Sequence, residues 1–387
     1  FRRVLFRSAA PDGRGPTMPF RRDRQIRLEW SLFSLQPRRR VAMNDWWVTR
    51  CTLIVGLMLS EISLAIDELP SWVPGDTKRS IIEFVNAVGD PSSESFVPVA
   101  DRIAVFDHDG TLWAEQPIYA QIHFAIDQVL LMAPGNPQWH GEEPFASVLR
   151  GDFDSLFEQG TEAIGRIVAA AQSEVSVTEF DHRVRSWLAT ARHPGTARGY
   201  QTMAYQPMLE LLNLLRTHQF KSYIVSGGST GFIRAFAESV YGVPPERVIG
   251  SFGALRFEVK NGQPTVIRGK DVVFMNNGEG KVFSIIRQIG RRPIVAFGNS
   301  DGDIEMLRWT RSGDGQRLVA LVHHTDAERE WAYDRDSQIG ALDNGLILAE
   351  SEDWTVVDMA RDWRVVFKVR EQADEALSNV ELKTNEK

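Results

Sequence analysis

Ile103-Ala104-Val105-Phe106-Asp107-His108-Asp109-Gly110-Thr111-Leu112 decides how this chain is read. Four apolar residues form a short buried strand, and two carboxylates follow at once, two positions apart. Moving a phosphoryl group needs an in-line nucleophile, a proton donor for the leaving oxygen and a cation for the charge. Asp107 is the nucleophile of choice, since carboxylates form covalent phospho-enzymes. Asp109 is placed to protonate the leaving alcohol and then to activate water. Gly110 permits a tight turn that bares backbone N–H groups.

Similar apolar runs recur at Tyr223–Val225, Ile294–Phe297 and Leu318–Val322, with Val356–Val357 ending the series. Continuous apolar runs separated by helical patterns predict a parallel sheet covered on both faces. Ligands on such sheets sit at the carboxyl ends of the strands. Between the first two runs lie more than a hundred residues with helical spacing at Ile118–Met132, Leu156–Ala171 and Phe180–Ala191. That is too long for a crossover and predicts a helical insert over the sheet. Pro207–His218 is the helix feeding the second strand, and Asn261-Gly262 between Leu255–Val259 and Thr265–Arg268 predicts a hairpin with a type I′ turn.

The DxDGTL sequence after an apolar strand resembles motif I of the haloacid dehalogenase (HAD) superfamily, in its phosphoserine-phosphatase-like form. Three further segments resemble the other motifs in the expected order. Ile224-Val225-Ser226-Gly227-Gly228 resembles motif II, which implies that Ser226, with the N–H groups of Gly227 and Gly228, binds phosphate. Gly110 and Thr111 of motif I would assist. Lys281 in Asn277-Gly278-Glu279-Gly280-Lys281 resembles motif III, which implies an ammonium that neutralises Asp107 and the phosphate oxygens. The segment is not a P-loop, because Val282 follows the lysine. Gly298-Asn299-Ser300-Asp301-Gly302-Asp303 resembles motif IV. The resemblance implies Mg²⁺ held by Asp107, the backbone carbonyl of Asp109 and oxygens of this last segment. Asn299 stands where the family often has Asp, so either its amide oxygen or Asp303 or Asp301 completes the set.

The resemblance implies a Rossmann-like, three-layer αβα core at 66–112 and 207–375. It also implies a C1-type helical cap at 113–206, inserted after the first strand. Caps close over substrate and exclude water, and Glu115, Gln116 and Tyr119 are candidates to contact it. His323-His324-Thr325-Asp326 follows the strand at Leu318–Val322, where a structural role is favoured over a metal site. Arg329, Tyr333 and Arg335 lie on a polar, helix-like stretch that is either a solvated face or an anion contact.

Composition narrows the function further. Residues 1–65 carry a net +7 and the remainder −14, and a body that acidic argues against nucleic acid as partner. With 11 Trp and 43% hydrophobic residues the chain can build real cores, two domains on a prior of about 150 residues each. The single cysteine, Cys51, excludes a disulfide framework and a Cys-rich zinc site. Phe1 to Ser8, FRRVLFRS, reads as a translated sequencing adapter, and residues 1–42 as artefact or a disordered basic arm. From Met43 the pattern is Arg50, a nine-residue apolar stretch and small residues at Ser63 and Ala65, which predicts a signal peptide at 43–65. The apolar stretch is too short to span a bilayer. Residues 376–387 read as a tail.

The expectation is a periplasmic or secreted Mg²⁺-dependent phosphatase. It would act through an aspartyl phosphate on a small phosphomonoester, with no membrane association after signal cleavage. The alternatives are a phosphomutase on the same fold and a non-catalytic phosphate-ligand protein, the latter favoured only by Asn299. A dehalogenase is disfavoured, because C–halogen cleavage does not need the acid that Asp109 supplies.

Overall fold

The computed structural model describes residues 67–368. The segments read above as artefact, signal peptide and tail, with Cys51, lie outside the described residues. The described strands are β1 (Ile103–Phe106), β2 (Lys221–Ser229), β3 (Val248–Lys260), β4 (Gln263–Phe274), β5 (Val295–Gly298), β6 (Leu318–Thr325), β7 (Ala332–Tyr333) and β8 (Thr355–Asp358).

β1 lies in the middle of the sheet, parallel to β2 on one edge and to β5 on the other. β3 continues the sheet beyond β2, β6 beyond β5 and β8 beyond β6, all parallel. β4 and β7 are the antiparallel additions. With both edges and both faces of β1 covered, no position on it favours a polar residue, which is why its sequence is uninterrupted IAVF.

Strand side chains alternate between faces, and each face has its own core. Ala104, Phe106, Ile224 and Phe297 pack with Val85, Met208 and Leu211 from the helices Asp76–Gly89 and Gln206–Thr217. Ile103, Val105, Ala296 and Leu321 pack with Met306, Leu307 and Ala349 from Ile304–Arg311 and Asn344–Ser351. The result is the expected α/β fold with helices on both faces of a mainly parallel sheet.

The insert between β1 and β2 is helical, as expected, at Ala120–Met132, Phe145–Arg150, Phe153–Glu158, Gly160–Gln172 and Val177–Thr190. Ala125, Val129, Phe145, Leu156 and Ile167 form a third cluster among its helices. The last helix starts at a Ser176 cap that accepts the Glu179 N–H. No helix among the described residues is long and apolar enough to cross a membrane.

Three local expectations need correction. Leu156–Ala171 is two helices rather than one, because Gly160 sits at φ 82 and breaks the run. β3 is longer than the expected hairpin arm. It starts as a sheet strand at Val248–Ile249 beside Ile224–Val225 and only then enters the hairpin. Arg329, Tyr333 and Arg335 are not on a helix. Tyr333 is drawn onto the edge of β6 in β7, where its ring stacks 4.3 Å from that of His324. The hairpin turn itself is as expected, with Asn261 and Gly262 at φ 50 and 76.

Candidate active site

The site begins where β1 ends. The Asp107 N–H still donates to the Phe297 carbonyl at 2.9 Å, so the carboxylate is held by the sheet itself. The chain then turns sharply, with Leu112 N–H bonded to His108 O at 2.8 Å and Gly110 N–H to Trp113 O at 2.9 Å. Gly110 is at φ 73, and a Cβ there would fall 2.0 Å from Asn299 Nδ2 and 2.5 Å from Glu115 Oε1. Only glycine fits that backbone and that space.

Lys281 reaches this turn from the helix Glu279–Ser284. Its Nζ lies 2.5 Å from Asp107 Oδ1 and 2.5 Å from Asp303 Oδ1, with its side chain 2% exposed. Burial opposes its charge, but the two carboxylates outweigh that and raise its pKa. Asp107 is pushed up to about 7, by burial first and by Asp303 second, against the pull of Lys281. No described residue donates to Asp107 Oδ2. That oxygen is the one left for chemistry.

Asp109 follows on the same turn. Its Oδ1 accepts from Trp113 Nε1 at 2.7 Å, and His108 Nδ1 lies 3.4 Å away. Burial works against the carboxylate, yet His108 and Trp113 together hold its pKa below the ordinary value. The His108 ring is itself fixed, packed on Trp113 and with Nε2 3.1 Å from the Tyr241 hydroxyl.

Ser226 comes from an irregular stretch of β2, where the pairing with β3 shifts between Val225 and Ser229. Its hydroxyl accepts the Gly228 N–H at 3.0 Å, so that N–H is already bonded within the turn. Asn276 Nδ2 holds the Ser226 carbonyl at 2.9 Å. From the insert, Gln121 Oε1 accepts the Ser229 N–H at 2.7 Å and ties the turn to the first long helix of that insert.

The last segment sorts its three candidate cation ligands into different tasks. Asp301 accepts N–H groups of Asp343, Asn344 and Gly345 and is committed to that loop. Asp303, expected as a cation ligand, has both oxygens engaged: Oδ1 with Lys281, Oδ2 with the N–H groups of Asn299 and Ser300. Asn299 alone turns towards the first motif. Its Oδ1 accepts from the Thr111 hydroxyl at 3.1 Å, and its Nδ2 donates to Glu115 Oε1 at 2.8 Å. The Thr111 hydroxyl, expected on phosphate, is thereby spent on Asn299.

Other candidates resolve in the same way. Gln116 donates to Ser337 Oγ and the Ile339 carbonyl, both at 3.1 Å. The two histidines diverge rather than converge on a metal. His324 Nε2 bonds the Gly110 carbonyl at 2.8 Å and its Nδ1 faces Glu330 Oε2 at 3.0 Å, while His323 faces Asp334. Arg329 pairs with Asp326 and donates to the carbonyls of Trp363 and Arg364, and Arg335 pairs with Asp343. Arg329 is thus committed to the scaffold, while Arg335 makes an exposed pair at the surface.

Among the described residues, no three His, Cys, Asp or Glu side chains group as a metal site. The donors gathered at the turn are instead the Asp107 carboxylate, backbone carbonyls and the Asn299 amide oxygen. All are hard oxygens, few in number, which suits a cation such as Mg²⁺ that keeps several waters.

The family model described as haloacid dehalogenase-like hydrolase matches residues 104–308. No curated protein matches the chain. Solved structures similar to it include a conserved functionally unknown protein from Anaerococcus prevotii, at 17% identity and TM-score 0.44, covering 64% of this chain and 86% of that one. A protein of unknown function from Bordetella pertussis is 14% identical, TM-score 0.42, covering 67% and 98%. A probable phosphoserine phosphatase from Vibrio cholerae is 16% identical, TM-score 0.32, covering 67% of each chain. Likeness at that distance carries no substrate.

Proposed function

The chain belongs to the haloacid dehalogenase-like hydrolase family, and on that premise we propose a Mg²⁺-dependent phosphomonoester hydrolase that works through an aspartyl phosphate on Asp107. One observation carries the reading. A buried carboxylate at the end of the central strand has one oxygen pinned by Lys281, 2.5 Å away, and the other without a partner among the described residues.

The steps follow from the side chains. Asp107 Oδ2 attacks phosphorus, the phosphorus–oxygen ester bond breaks, and its electron pair goes to the leaving alkoxide. Asp109, whose pKa is held down in the free chain, takes up a proton as the monoanionic ester binds, gives it to that oxygen and then takes one from the water that attacks the acyl phosphate. Phosphate is released and Asp107 is restored. Lys281, already charged, offsets the anion that builds up beside it, and the Ser226 hydroxyl donates to a phosphate oxygen. Asp107, the Asp109 carbonyl and Asn299 would hold Mg²⁺, which neutralises phosphate charge and aligns the attack.

The test is release of inorganic phosphate from p-nitrophenyl phosphate and a panel of phosphomonoesters, with and without Mg²⁺, beside Asp107→Asn. Metal-dependent release that disappears in Asp107→Asn is expected. No release from a folded, metal-bound protein would sink the hydrolase reading. Phosphate that moves between sugar positions without release would replace it with a mutase.

A further inference from the structure

Glu115 is a buried acid that pairs with no cation among the described residues. It is 2% exposed, and burial first, with the nearby acids Asp109, Asp107 and Glu330, holds its carboxyl well above the usual carboxylate range. Its Oε1 accepts two hydrogen bonds, from Asn299 Nδ2 and from the Tyr333 hydroxyl, each at 2.8 Å. The backbone makes room for this one oxygen. Gly110 and Gly340 are both left-handed, at φ 73 and 66, and a Cβ on either would come within 2.5 and 1.9 Å of it. A buried acid among acids is costly to keep, and here its contacts converge on a single neighbour in the site.

That neighbour is Asn299, the residue at which this chain departs from the Asp that the motif IV resemblance implies. An asparagine side chain has two unlike ends, and its environment decides which end faces where. The end against Glu115 Oε1, which also accepts from the Tyr333 hydroxyl, is the donor. The oxygen is therefore turned to the other side, where Thr111 Oγ1 donates to it at 3.1 Å. An aspartate at 299 has no N–H to give, so the bond to Glu115 Oε1 would be lost and two carboxyl groups would stand 2.8 Å apart.

We propose that Glu115, backed by Tyr333, is a positioning residue that locks the Asn299 amide so that its oxygen, not its nitrogen, is offered to the cation. Asn at 299 and Glu at 115 are then one coupled choice rather than a weakened ligand set. This rests on the cation reading above.

The test is Mn²⁺ binding by titration calorimetry at pH 7.5 to the full chain, as native, Asn299→Asp, Glu115→Gln and the double substitution. Asn299→Asp adds a charge to the ligand set, yet is expected to bind Mn²⁺ about tenfold more weakly. Adding Glu115→Gln, whose amide can donate to the new carboxylate, restores affinity to within about threefold of native. Contacting residues couple in this way and independent ones do not. Two single effects that simply multiply in the double, or an Asn299→Asp chain that binds more tightly, overturn the proposal. Thermal melts of the metal-free proteins accompany the titrations. If Asn299→Asp does not fold, Tyr333→Phe decides: about threefold weaker Mn²⁺ binding with an unchanged metal-free Tm supports the lock, and unchanged affinity overturns it. The two readings separate cleanly. Coupled binding without phosphate release removes the hydrolase and keeps the lock. Tight binding without coupling does the reverse. A native chain that binds no divalent cation removes the lock together with the cation reading.

Discussion

Lys281 Nζ stands 2.5 Å from Asp107 Oδ1, a contact that joins residues 174 positions apart and makes one buried unit of two motifs. A second carboxylate, Asp303, shares the same ammonium. Removing the cation leaves two buried acids facing each other. Breaking a buried pair in this way costs roughly 3–5 kcal/mol. Lys281→Met should therefore lose about that much stability in urea denaturation at neutral pH. Lys281→Met with Asp303→Asn should recover part of it, because one of the stranded charges is gone. A Lys281→Met protein as stable as native would mean that the three groups do not form a charged cluster.

The same cluster sets a pH dependence. Asp107 has its pKa raised to about 7 in the folded chain, against 3.8 ordinarily. Between those values the folded chain holds a proton that the unfolded chain does not. Stability from this group is thus complete below about 3.8, declines as pH rises and is gone above about 7. Asp107→Asn removes the term. In EDTA, the Tm of Asp107→Asn relative to native should climb from pH 5 to pH 7 and then level. Mg²⁺ that binds Asp107 should close the gap at pH 7.5 by raising the native Tm alone. Parallel Tm curves for the two proteins would show that Asp107 ionises normally.

What the sequence made legible was whatever depends on local pattern. β1 is legible to its ends because a strand buried on both faces has no polar interruption. The Asn261-Gly262 turn is legible because few residues tolerate two positive φ angles in succession. Val248–Ile249 is not, because two apolar residues before Gly250-Ser251 make too short a run. Gly250 is needed there for approach, since a Cβ would lie 2.5 Å from the Gly228 carbonyl. In the site, the motifs placed Asp107, Lys281 and Asp303 in one region, but not the division of labour among Asn299, Asp301 and Asp303. That division is set by Glu115 and by the loop at Asp343–Gly345, 184 and about 40 residues away in sequence. Tyr333 could not be placed from its neighbours, because its role depends on an edge pairing with β6.

His324 supports the turn from behind. Its Nε2 bonds the Gly110 carbonyl at 2.8 Å, and its Nδ1 is held by Glu330, whose other oxygen accepts from the Tyr205 hydroxyl at 2.8 Å. His324, Glu330 and Tyr205 are all buried behind the turn, so the effect of His324 is expected to run through the geometry of Gly110. His324→Leu leaves the Gly110 carbonyl without this partner, while Glu330 keeps the Trp331 N–H and the Tyr205 hydroxyl, and should cost about 1–3 kcal/mol of stability. It should also lower kcat about tenfold or more on p-nitrophenyl phosphate with less change in KM, since misplacement by a fraction of an ångström is felt mainly in the transition state. A loss confined to KM would place His324 at the substrate instead.

Two glycines of the chain give opposite predictions for the same substitution. Gly165 lies inside the helix Gly160–Gln172, and a Cβ there would meet nothing within 4 Å. Alanine at that position should stabilise the protein by about 0.5–1 kcal/mol, the difference in helix propensity. Gly110 is the reverse case on both counts. Its φ of 73 disfavours any side chain, at about 1–3 kcal/mol. Its Cβ would also overlap Asn299 Nδ2 and Glu115 Oε1, which are held by other bonds and cannot withdraw independently. Gly110→Ala should therefore lower Tm and displace the Asn299 amide, weakening Mn²⁺ binding in the same protein. Gly165→Ala should raise Tm and leave Mn²⁺ affinity unchanged. Both are read from melts with and without metal. A Gly110→Ala protein with native Tm and native Mn²⁺ affinity would mean that the turn after Asp109 is looser than its packing against Glu115 and Asn299 requires.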